Sequence, residues 1–509
     1  MNLSNAGILL LVFGATLAFY LKASRSKSGT RALPGPRGLP GIGNLFSIPL
    51  RHPWKRLFEL KEEYGPIVHF HGFGNSILVL NDYKTMIDLL VKKGNMYCSR
   101  PYFHVACNLM DLIKSTAFAP FGTRWRLHRK LARVALNPEA LKTYEPRLME
   151  IAAMLLQSLA ARPDDFINHA RLAAGQVIMS TMYGLDISSP EDPYIVRAEA
   201  AMSIISKAVV PGEFLVDLIP SMGFMPSWVP FTRFHKIGRQ GRELIAELVE
   251  KPYQFVKDQM DAGADVPSFT REALTEAELQ TDRAGNNEEF EDAVKWAAAS
   301  MYAAGQEVIS SAIINLIMGL ALNPDKGNKA QAEIDKVIGD RLLTPEDRQI
   351  LPYCDALVKE TLRWHPPLPM DIARASIEDD VYNGYFIPRG TIVIPNVWSI
   401  AHAPDPDFPP NSFIPERFLS ERANAPLDPS LYVFGFGRRI CPGRLVAENF
   451  VFIMSTTIIR SFDIRPAKNP DGSSVPIDVE YSSGLVSLPE PFRCSISSRM
   501  KNTLVDGEK

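Results

Sequence analysis

One cysteine, Cys441, lies in the stretch that most restricts the fold this chain can adopt. The stretch reads Phe434-Gly-Phe-Gly-Arg-Arg-Ile-Cys-Pro-Gly-Arg444, and the apolar run Leu445–Ile459 follows it in helical phase. The sequence therefore predicts a cysteine at the beginning of a helix. Free backbone N–H groups and the helix dipole stabilise a thiolate there, and a thiolate is a strong metal ligand. A buried, inert cysteine is the usual alternative, and we expect it for the other four cysteines: Cys98, Cys107, Cys354 and Cys494.

Helical periodicity dominates the rest of the chain, which predicts a mainly α fold with small β-sheets. Apolar residues recur at spacings of three and four in several segments: Leu141–Leu159, Glu243–Met260, Phe290–Leu322 and Lys329–Ile338. Short β-type runs are fewer: Ile67–His71, Ser76–Leu80, Tyr385–Ile387 and Thr391–Pro395. The last two runs are joined by Pro388-Arg389-Gly390, which is typical of a turn.

Charge and cysteine content exclude some classes of protein. Lysine and arginine total 55 against 57 for aspartate and glutamate, and a net charge of −2 gives no general attraction to a polyanion. We therefore expect no nucleic-acid partner. Five cysteines without a CxxC pair indicate neither a disulfide framework nor a zinc ribbon.

The N-terminus has the composition of a membrane anchor. The uncharged run Ala6–Leu21 is followed by Lys22, Arg25, Lys27 and Arg31, and positive charge after the run favours a cytosolic position for the rest of the chain. A cleaved signal peptide is the alternative, but it carries its positive charge before the apolar run. We predict an anchor over residues 1–24, a basic and Pro/Gly-rich hinge over 25–46 and one catalytic domain over 47–509.

The cysteine stretch resembles the haem-binding signature of the cytochrome P450 family. The five signature positions are Phe434, Gly437, Arg439, Cys441 and Gly443. The resemblance implies the cytochrome P450 fold, haem b as the cofactor, and Cys441 as the thiolate that binds its iron and favours O–O cleavage. It also implies that Gly437 and Gly443 let the backbone pass close to the porphyrin.

Two further motifs match the family in the expected order. Glu360-Thr-Leu-Arg363 places an acid and a base on one helical face, and Pro415-Glu-Arg-Phe418 adds Arg417. Alone, the first motif reads as a surface helix pair. The resemblance instead makes Glu360, Arg363 and Arg417 a buried structural network that braces the cysteine loop.

The resemblance also assigns residues to the haem propionates. Trp125-Arg-Leu-His-Arg129 looks like the family's propionate-binding helix, in which an indole N–H and a guanidinium donate to a carboxylate. By itself it is an amphipathic basic helix. Arg374 and Arg439 lie where the family has further donors, and burial of two carboxylates requires such counter-charge.

The long helix around Ala303–Ser311 matches the family's distal helix except at one position. Ala304, Gly305 and Glu307 fit the pattern, which implies a catalytic role, but Val308 stands where the family usually has threonine. In the usual pattern the acid and the threonine hydroxyl organise a water that delivers protons. The threonine hydroxyl is replaced in this role by Ser310, by Ser311, by an added water or by a hydroxyl on the substrate. Alternatively, Glu307 delivers protons without a second group.

An apolar substrate cavity is expected beside the haem. The residues nominated to line it are Phe103, Val105, Leu109, Met110, Met301, Ala304, Val308, Met370, Asp371, Ile372, Leu485 and Val486. Asp371 is the acidic member of this set, and either a contact with a substrate hydroxyl or amine or an ordinary capping role fits it.

These observations predict a membrane-anchored monooxygenase that inserts one oxygen atom from O2 into a lipophilic small molecule. The chain lacks a Gly-rich nucleotide fingerprint, so NADPH and flavins are expected only on a separate reductase, with cytochrome b5 as a second possible donor. The surface on which the reductase would dock is expected to include basic residues on the cysteine side of the protein: Arg438, Arg444, Lys130 and Arg133. Asp355–His365 and Glu378–Gly390 resemble fungal enzymes of secondary metabolism, which favours a natural-product intermediate such as a terpenoid or polyketide. The anchor favours the endoplasmic reticulum membrane. The alternatives are a reductase-independent isomerase or dehydratase, and a haem-based sensor.

Overall fold

The computed structural model of the protein describes residues 30–39, 43–49, 51–210, 212–229, 232–281, 287–419 and 425–499. The predicted anchor over residues 1–24 lies outside these ranges. Helices dominate the described chain and small sheets accompany them, as the periodicity predicts. The α-helices are α1 Pro53–Tyr64, α2 Tyr83–Met86, α3 Thr123–Ala135, α4 Pro138–Ala161, α5 Phe166–Tyr183, α6 Pro193–Ala208, α7 Leu215–Leu218, α8 Phe234–Asp261, α9 Phe269–Thr281, α10 Asn287–Leu322, α11 Pro324–Val337, α12 Pro352–Trp364, α13 Val397–Ala401 and α14 Arg444–Ser461.

The strands form three small sheets. Their bounds are β1 Ile67–Gly72, β2 Asn75–Leu80, β3 Arg374–Ala375, β4 Asp380–Tyr382, β5 Tyr385–Ile387, β6 Ile392–Pro395, β7 Phe462–Pro466 and β8 Cys494–Ser498. The largest sheet has the order β1-β2-β6-β3, while β4 pairs with β5 and β7 with β8.

The turn at residues 388–390 does not join a hairpin. It separates β5 and β6, which belong to different sheets. Strand β6 instead runs parallel to β2, with Val393 opposite Leu78. Sequence spacing favours local pairing, but the apolar side of β6 is buried only when it pairs with a strand more than 300 residues earlier.

Helix α10 occupies the centre of the main hydrophobic core. Gly305 allows α10 to approach α5 closely, because a Cβ atom at this position would lie 2.5 Å from Cδ1 of Ile178. In the described part of the chain, α10 is the helix long and apolar enough to cross a membrane, and 78% of its most apolar window is buried inside the protein. Burial in the core accounts for that apolar character.

The described part of the predicted hinge packs against β1. Pro34 accepts a hydrogen bond of 2.7 Å from the His69 N–H, and the Asn44 side chain accepts one of 2.6 Å from the His71 N–H. Arg31 N–H also donates to the Gly384 carbonyl at 2.8 Å. The chain is therefore fixed to the sheets from about residue 31, and a domain boundary at residues 46–47 stays a prediction.

Candidate active site

Cys441 lies in a loop that turns directly into helix α14. Its backbone N–H donates to the Phe434 carbonyl at 2.8 Å, which closes the loop, and Gly443 is the N-cap of α14. Of the five cysteines only Cys441 is exposed. Burial nevertheless raises the pKa of its thiol, and the Gly443 N–H and the charge of Arg129 oppose that rise. The Cys441 side chain is thus accessible at the beginning of α14, where it is available to a metal ion.

The surroundings of the two signature glycines differ. Gly437 has φ +52°, and a Cβ atom there would lie 2.4 Å from the carbonyl oxygen of Leu90, so the protein's own backbone requires glycine. Gly443 has an ordinary φ of −87°. A Cβ atom at Gly443 would meet no atom within 4 Å, so the space beside it is open.

Helix α3 is tied to the cysteine loop by the predicted pair Arg129 and Trp125. Arg129 Nη1 donates to the carbonyl of Ile440 at 2.6 Å. The guanidinium carbon of Arg439 lies 4.9 Å from the centroid of the Trp125 ring, within cation–π range. The structure therefore brings three of the four predicted propionate donors together next to Cys441.

Arg374, the fourth predicted donor, is almost completely buried, with 1% of its surface exposed. Its Nη2 donates to the Phe436 carbonyl at 3.0 Å and reaches Asp371 Oδ2 at 3.4 Å. Within the described residues its Nε and Nη1 make no hydrogen bond. Buried guanidinium nitrogens without partners are costly, so these two atoms indicate that an acceptor from outside the chain binds here.

Arg100 belongs to the same cluster and was not predicted from the sequence. Its Nε donates to Ala117 O at 2.6 Å, and Nη1 donates to Ile372 O and Ala373 O at 2.6 and 2.8 Å. Burial, reinforced by the charges of Arg439 and Arg374, lowers its pKa. Arg100 precedes a proline in an irregular segment, where no periodicity separates it from a surface arginine.

The buried cluster therefore contains three guanidinium groups, those of Arg100, Arg374 and Arg439, together with the carboxylate of Asp371. Burial lowers the pKa of Arg439 to about 10, but at neutral pH its charge remains. Three cations and one anion leave an excess of two positive charges. The two propionates of haem would supply two negative charges, and a Cβ atom at Gly443, two residues after Cys441, would meet no protein atom within 4 Å. The residues present thus fit a haem group.

Glu360 is the centre of a buried ion network behind the cysteine loop. It is fully buried, and its carboxylate accepts from Arg363 Nε at 2.7 Å and from Arg417 Nε at 3.0 Å. The Ile414 N–H donates to it at 2.7 Å. Arg363 also donates to the carbonyls of Ala401 and Pro410, both at 2.8 Å. The network thus connects α12 to the end of α13 and to the later segment that contains Pro410 and Arg417, in a geometry suited to bracing.

Helix α10 presents Ala304, Glu307 and Val308 toward an interior space. Ala304 is exposed in the middle of a core helix, and Glu307 and Val308 are half-buried. Burial and the charge of Glu199 raise the pKa of Glu307 to about 7, and Arg171 opposes this shift. Gly305 faces α5 instead, so the packing against Ile178 explains the glycine, and its catalytic role stays a prediction.

The two serines nominated to replace the missing threonine hydroxyl both donate to backbone carbonyls. Ser310 Oγ donates to Glu307 O at 3.1 Å, and Ser311 Oγ donates to Ser487 O at 3.0 Å. Each of the two residues is at least 98% buried. A mobile water, a substrate hydroxyl or Glu307 alone is therefore better placed to carry a proton.

Glu199 and Arg171 form an ion pair that sequence reasoning missed. Arg171 Nε donates to Glu199 Oε1 at 2.7 Å, and Gln306, the neighbour of Glu307, donates to the same oxygen at 3.3 Å. The Glu199 side chain is 27% exposed. The pair is therefore partly exposed and close enough to Glu307 to affect its pKa. It lies on helices α5 and α6, which carry no local motif.

Two cavities border the site. One of about 950 Å³ is lined by five of the nominated substrate residues: Phe103, Met370, Asp371, Ile372 and Leu485. The other, of about 510 Å³, is lined by Val308 with Phe434 and Ala447.

Most of the remaining nominated residues lie in the main hydrophobic core or against it. Val105 and Met110 are fully buried, and Val486 is 5% exposed. A Cβ atom on Gly241 of α8 would lie 2.8 Å from the Met110 side chain, which shows how tightly Met110 is packed. Leu109 and Met301 are partly buried against the same core. Their contact with substrate stays a prediction.

Comparison with known proteins agrees with this site. The family model described as Cytochrome P450 matches residues 33–495. The chain is 37% identical over 488 residues to cytochrome P450 monooxygenase claR of Ampulloclitocybe clavipes, covering 95% of this chain and 89% of the relative. It is 33% identical over 507 residues to cytochrome P450 monooxygenase COX1 of Coprinopsis cinerea, covering 97% and 98%. With cytochrome P450 monooxygenase 208 of Postia placenta it shares 35% identity over 505 residues, covering 99% and 96%.

The mainly helical fold, the cysteine loop and the buried arginines define a haem-thiolate class of protein. The extent of the family match then identifies the chain: it belongs to the cytochrome P450 family. Its relatives are named as monooxygenases of fungi, and the chain is an enzyme of this monooxygenase class.

Proposed function

We propose that the protein inserts one oxygen atom from O2 into a lipophilic natural-product intermediate, such as a terpenoid or polyketide. The observation that carries the proposal is the exposed face of Cys441 inside a protein that buries its other cysteines. The apolar character of most residues around the larger cavity supports a lipophilic substrate. The fungal relatives support the choice of a natural product.

When bound, haem b with a cysteine thiolate ligand supplies the oxygen-activating chemistry of the family. The chain's own part is to hold the group. Cys441 offers the thiolate at the beginning of α14, and Arg374, Arg439, Arg129 and Trp125 surround the position of the carboxylates. Arg374 brings two nitrogens that lack a protein partner, so it is the donor with most to gain from the haem group.

Glu307 is the proposed proton donor. A pKa near 7 suits a group that must bind and release protons at neutral pH. Glu199 raises that pKa and Arg171 lowers it, and the Glu199 side chain is 27% exposed to solvent. Proton supply in this scheme runs from solvent to Glu307, and Val308 supports the helix without taking part.

A separate NADPH-dependent reductase is the proposed electron donor, with cytochrome b5 as a second one. Helix α3 carries a basic outer face without an acidic residue, and Arg126, Lys130 and Arg133 on it are exposed. Arg438 of the cysteine loop is exposed as well, and Arg126 and Arg438 lie 5.1 and 5.7 Å from the ring centroid of Phe121. The two elements thus form one continuous positive surface, suited to an acidic partner. Arg444 is less suited, because it pairs with Glu448 at 2.8 Å.

The proposed location is the endoplasmic reticulum membrane, with the catalytic domain on the cytosolic side. The apolar run Ala6–Leu21 and the basic residues that follow it support a single anchor. The apolar cavity is consistent with a substrate that partitions into lipid.

The function is tested by expressing the full chain with an NADPH-dependent reductase in a host supplied with candidate terpenoid and polyketide intermediates. Mass spectrometry should detect a product that has gained one oxygen atom. Product formation should require NADPH, reductase and Cys441, so Cys441→Ala in the same host is the control. A product of unchanged elemental composition, or one that has lost water, formed without reductase would overturn the proposal in favour of an isomerase or dehydratase. Haem binding with no turnover of any intermediate would favour a sensor.

A further inference from the structure

Asp371 occupies a backbone conformation that aspartate rarely adopts. Its φ is +49°, one of five positive values among non-glycine residues in the described chain. Left-handed geometry costs free energy for any residue with a Cβ atom, although aspartate tolerates it better than most. Such strain persists where the surrounding structure demands it and is often found at functional sites. The contacts of the Asp371 carboxylate show what this backbone conformation makes possible.

The carboxylate lies against the cysteine loop. A Cβ atom built on Gly435 would be 3.4 Å from both Oδ1 and Oδ2 of Asp371. Oδ1 accepts a hydrogen bond of 2.7 Å from the Ile372 N–H, which fixes the side chain. Arg374 Nη2, 3.4 Å from Oδ2, also donates to Phe436 O in the same loop. Asp371, Arg374 and the loop therefore form one unit of contacts.

Asp371 is also the carboxylate whose charge acts on the buried arginines. Its field favours the charged forms of Arg100 and Arg374. A negative charge at this position therefore influences the propionate donors.

We infer that Asp371 is a positioning residue for the cofactor, which holds Arg374 in place and lowers the reduction potential of the bound haem. This inference rests on the proposed haem-thiolate function. Haem iron carries one more positive charge in the ferric than in the ferrous state, so a nearby carboxylate stabilises the ferric state. By holding Nη2 of Arg374, Asp371 also leaves Nε and Nη1 of that side chain to donate to the haem carboxylates.

Asp371 also borders the cavity of about 950 Å³, so a contact with substrate is the competing role. The two roles are separable. A cofactor role changes the potential of the substrate-free protein, whereas a substrate contact changes only the response to added ligand.

The test uses the full-length haem-bound protein and the variants Asp371→Asn and Asp371→Gly. Both variants remove the negative charge of Asp371, and both asparagine and glycine tolerate a left-handed backbone conformation. Asp111→Asn is the matched control, because Asp111 has φ +60° and its charged partners are Lys114 and Arg242, outside the arginine cluster. The midpoint potential is measured by spectroelectrochemical titration without substrate. The carbon monoxide spectrum of each reduced protein is recorded beside it.

We expect the potential of both Asp371 variants to move in the positive direction, while that of Asp111→Asn stays at the wild-type value. Loss of the Asp371 charge removes a stabilisation of the ferric state, which gives the shift its sign. An unchanged potential in both Asp371 variants would overturn the inference, as would a shift seen with glycine but not with asparagine. A wild-type protein without a thiolate-type carbon monoxide band would overturn the proposed function itself, which separates the two failures.

Discussion

Arg129 donates from Nη1 to the carbonyl oxygen of Ile440 at 2.6 Å, so helix α3 is bonded to the residue that precedes the cysteine. The same guanidinium acts electrostatically on the Cys441 thiol and favours the thiolate. One side chain thus positions the loop and adjusts the charge of its cysteine. This link explains why a basic helix far from α14 in sequence belongs to the site.

Replacing Cys441 with alanine should abolish thiolate ligation and turnover. The other four cysteines are buried, so none is accessible enough to substitute. The reduced protein treated with carbon monoxide reports the ligand through its absorption band. Cys494→Ala, at a buried cysteine on β8, should keep the wild-type band. Retention of that band in Cys441→Ala would refute the ligand assignment.

Replacing Glu360 with glutamine should destabilise the protein by about 3–5 kcal/mol, because it leaves Arg363 and Arg417 buried with too little negative charge. The free energy of unfolding in denaturant and the haem content after purification are the measurements. Glu62→Gln, at an exposed position of α1, should change the unfolding free energy by no more than about 0.5 kcal/mol. Equal stability of the two variants would show that the network is dispensable.

Glu199→Gln should move the pH dependence of coupling, meaning product formed per NADPH consumed. The pKa of Glu307 is raised to about 7. Its carboxyl group is therefore protonated well below pH 7 and loses the proton as the pH rises through 7. Removal of the Glu199 charge lowers this pKa, and the alkaline loss of coupling should begin at lower pH.

Two variants make that pH experiment specific. Glu150→Gln, on the exposed side of α4, should leave the pH profile unchanged. Glu307→Ala should reduce coupling at every pH, since general acid catalysis contributes about 10²- to 10⁴-fold. Full coupling in Glu307→Ala would eliminate Glu307 as the proton donor.

Val308→Thr should be tolerated, and coupling should hold or improve. The two side chains have nearly the same shape, and the new hydroxyl can bond to a helix carbonyl three or four residues earlier. Val308→Ala, which only removes apolar contact, is the comparison. Coupling and thermal stability are measured with the true substrate. A threonine variant that couples worse than the alanine variant would show that a hydroxyl at this position harms the reaction.

Deleting residues 1–24 should leave a haem-binding protein that needs less detergent. The contacts with the sheets begin at Arg31, so they survive this deletion. A longer deletion through residue 46 also removes the Asn44 contacts to β1 and should lower the unfolding temperature. Haem content and detergent requirement are compared for the two forms. Loss of haem from the shorter deletion would mean that the N-terminal segment belongs to the fold.

Local patterns predicted the helices well because burial of one helical face leaves a periodic trace. The segment predicted at Glu243–Met260 lies inside α8, and Phe290–Leu322 lies inside α10. Pairing between distant strands leaves no such trace. The sequence therefore predicted a turn at residues 388–390, but not that β6 pairs with β2.

The site divides in the same way. Cys441 was singled out by its local sequence, and the Glu360 network was predicted from the resemblance of its motifs to the family. Arg100 and Glu199 were missed, since their importance arises from burial and from partners on other elements. Their sequence neighbours look like those of surface residues. For Gly305, sequence reasoning predicted a catalytic position, and the structure adds a packing reason through Ile178.

The two glycines of the cysteine loop are subject to different kinds of selection. Gly437 is demanded by the polypeptide itself, because a side chain would collide with Leu90 O. Gly443 has empty surroundings, so the folded chain alone has no need of it. A library sorted only for soluble expression would conserve glycine at 437 and let position 443 drift. Sorting for cofactor uptake would conserve glycine at both positions. Selection for folding therefore acts on Gly437, whereas selection for cofactor binding acts on Gly443.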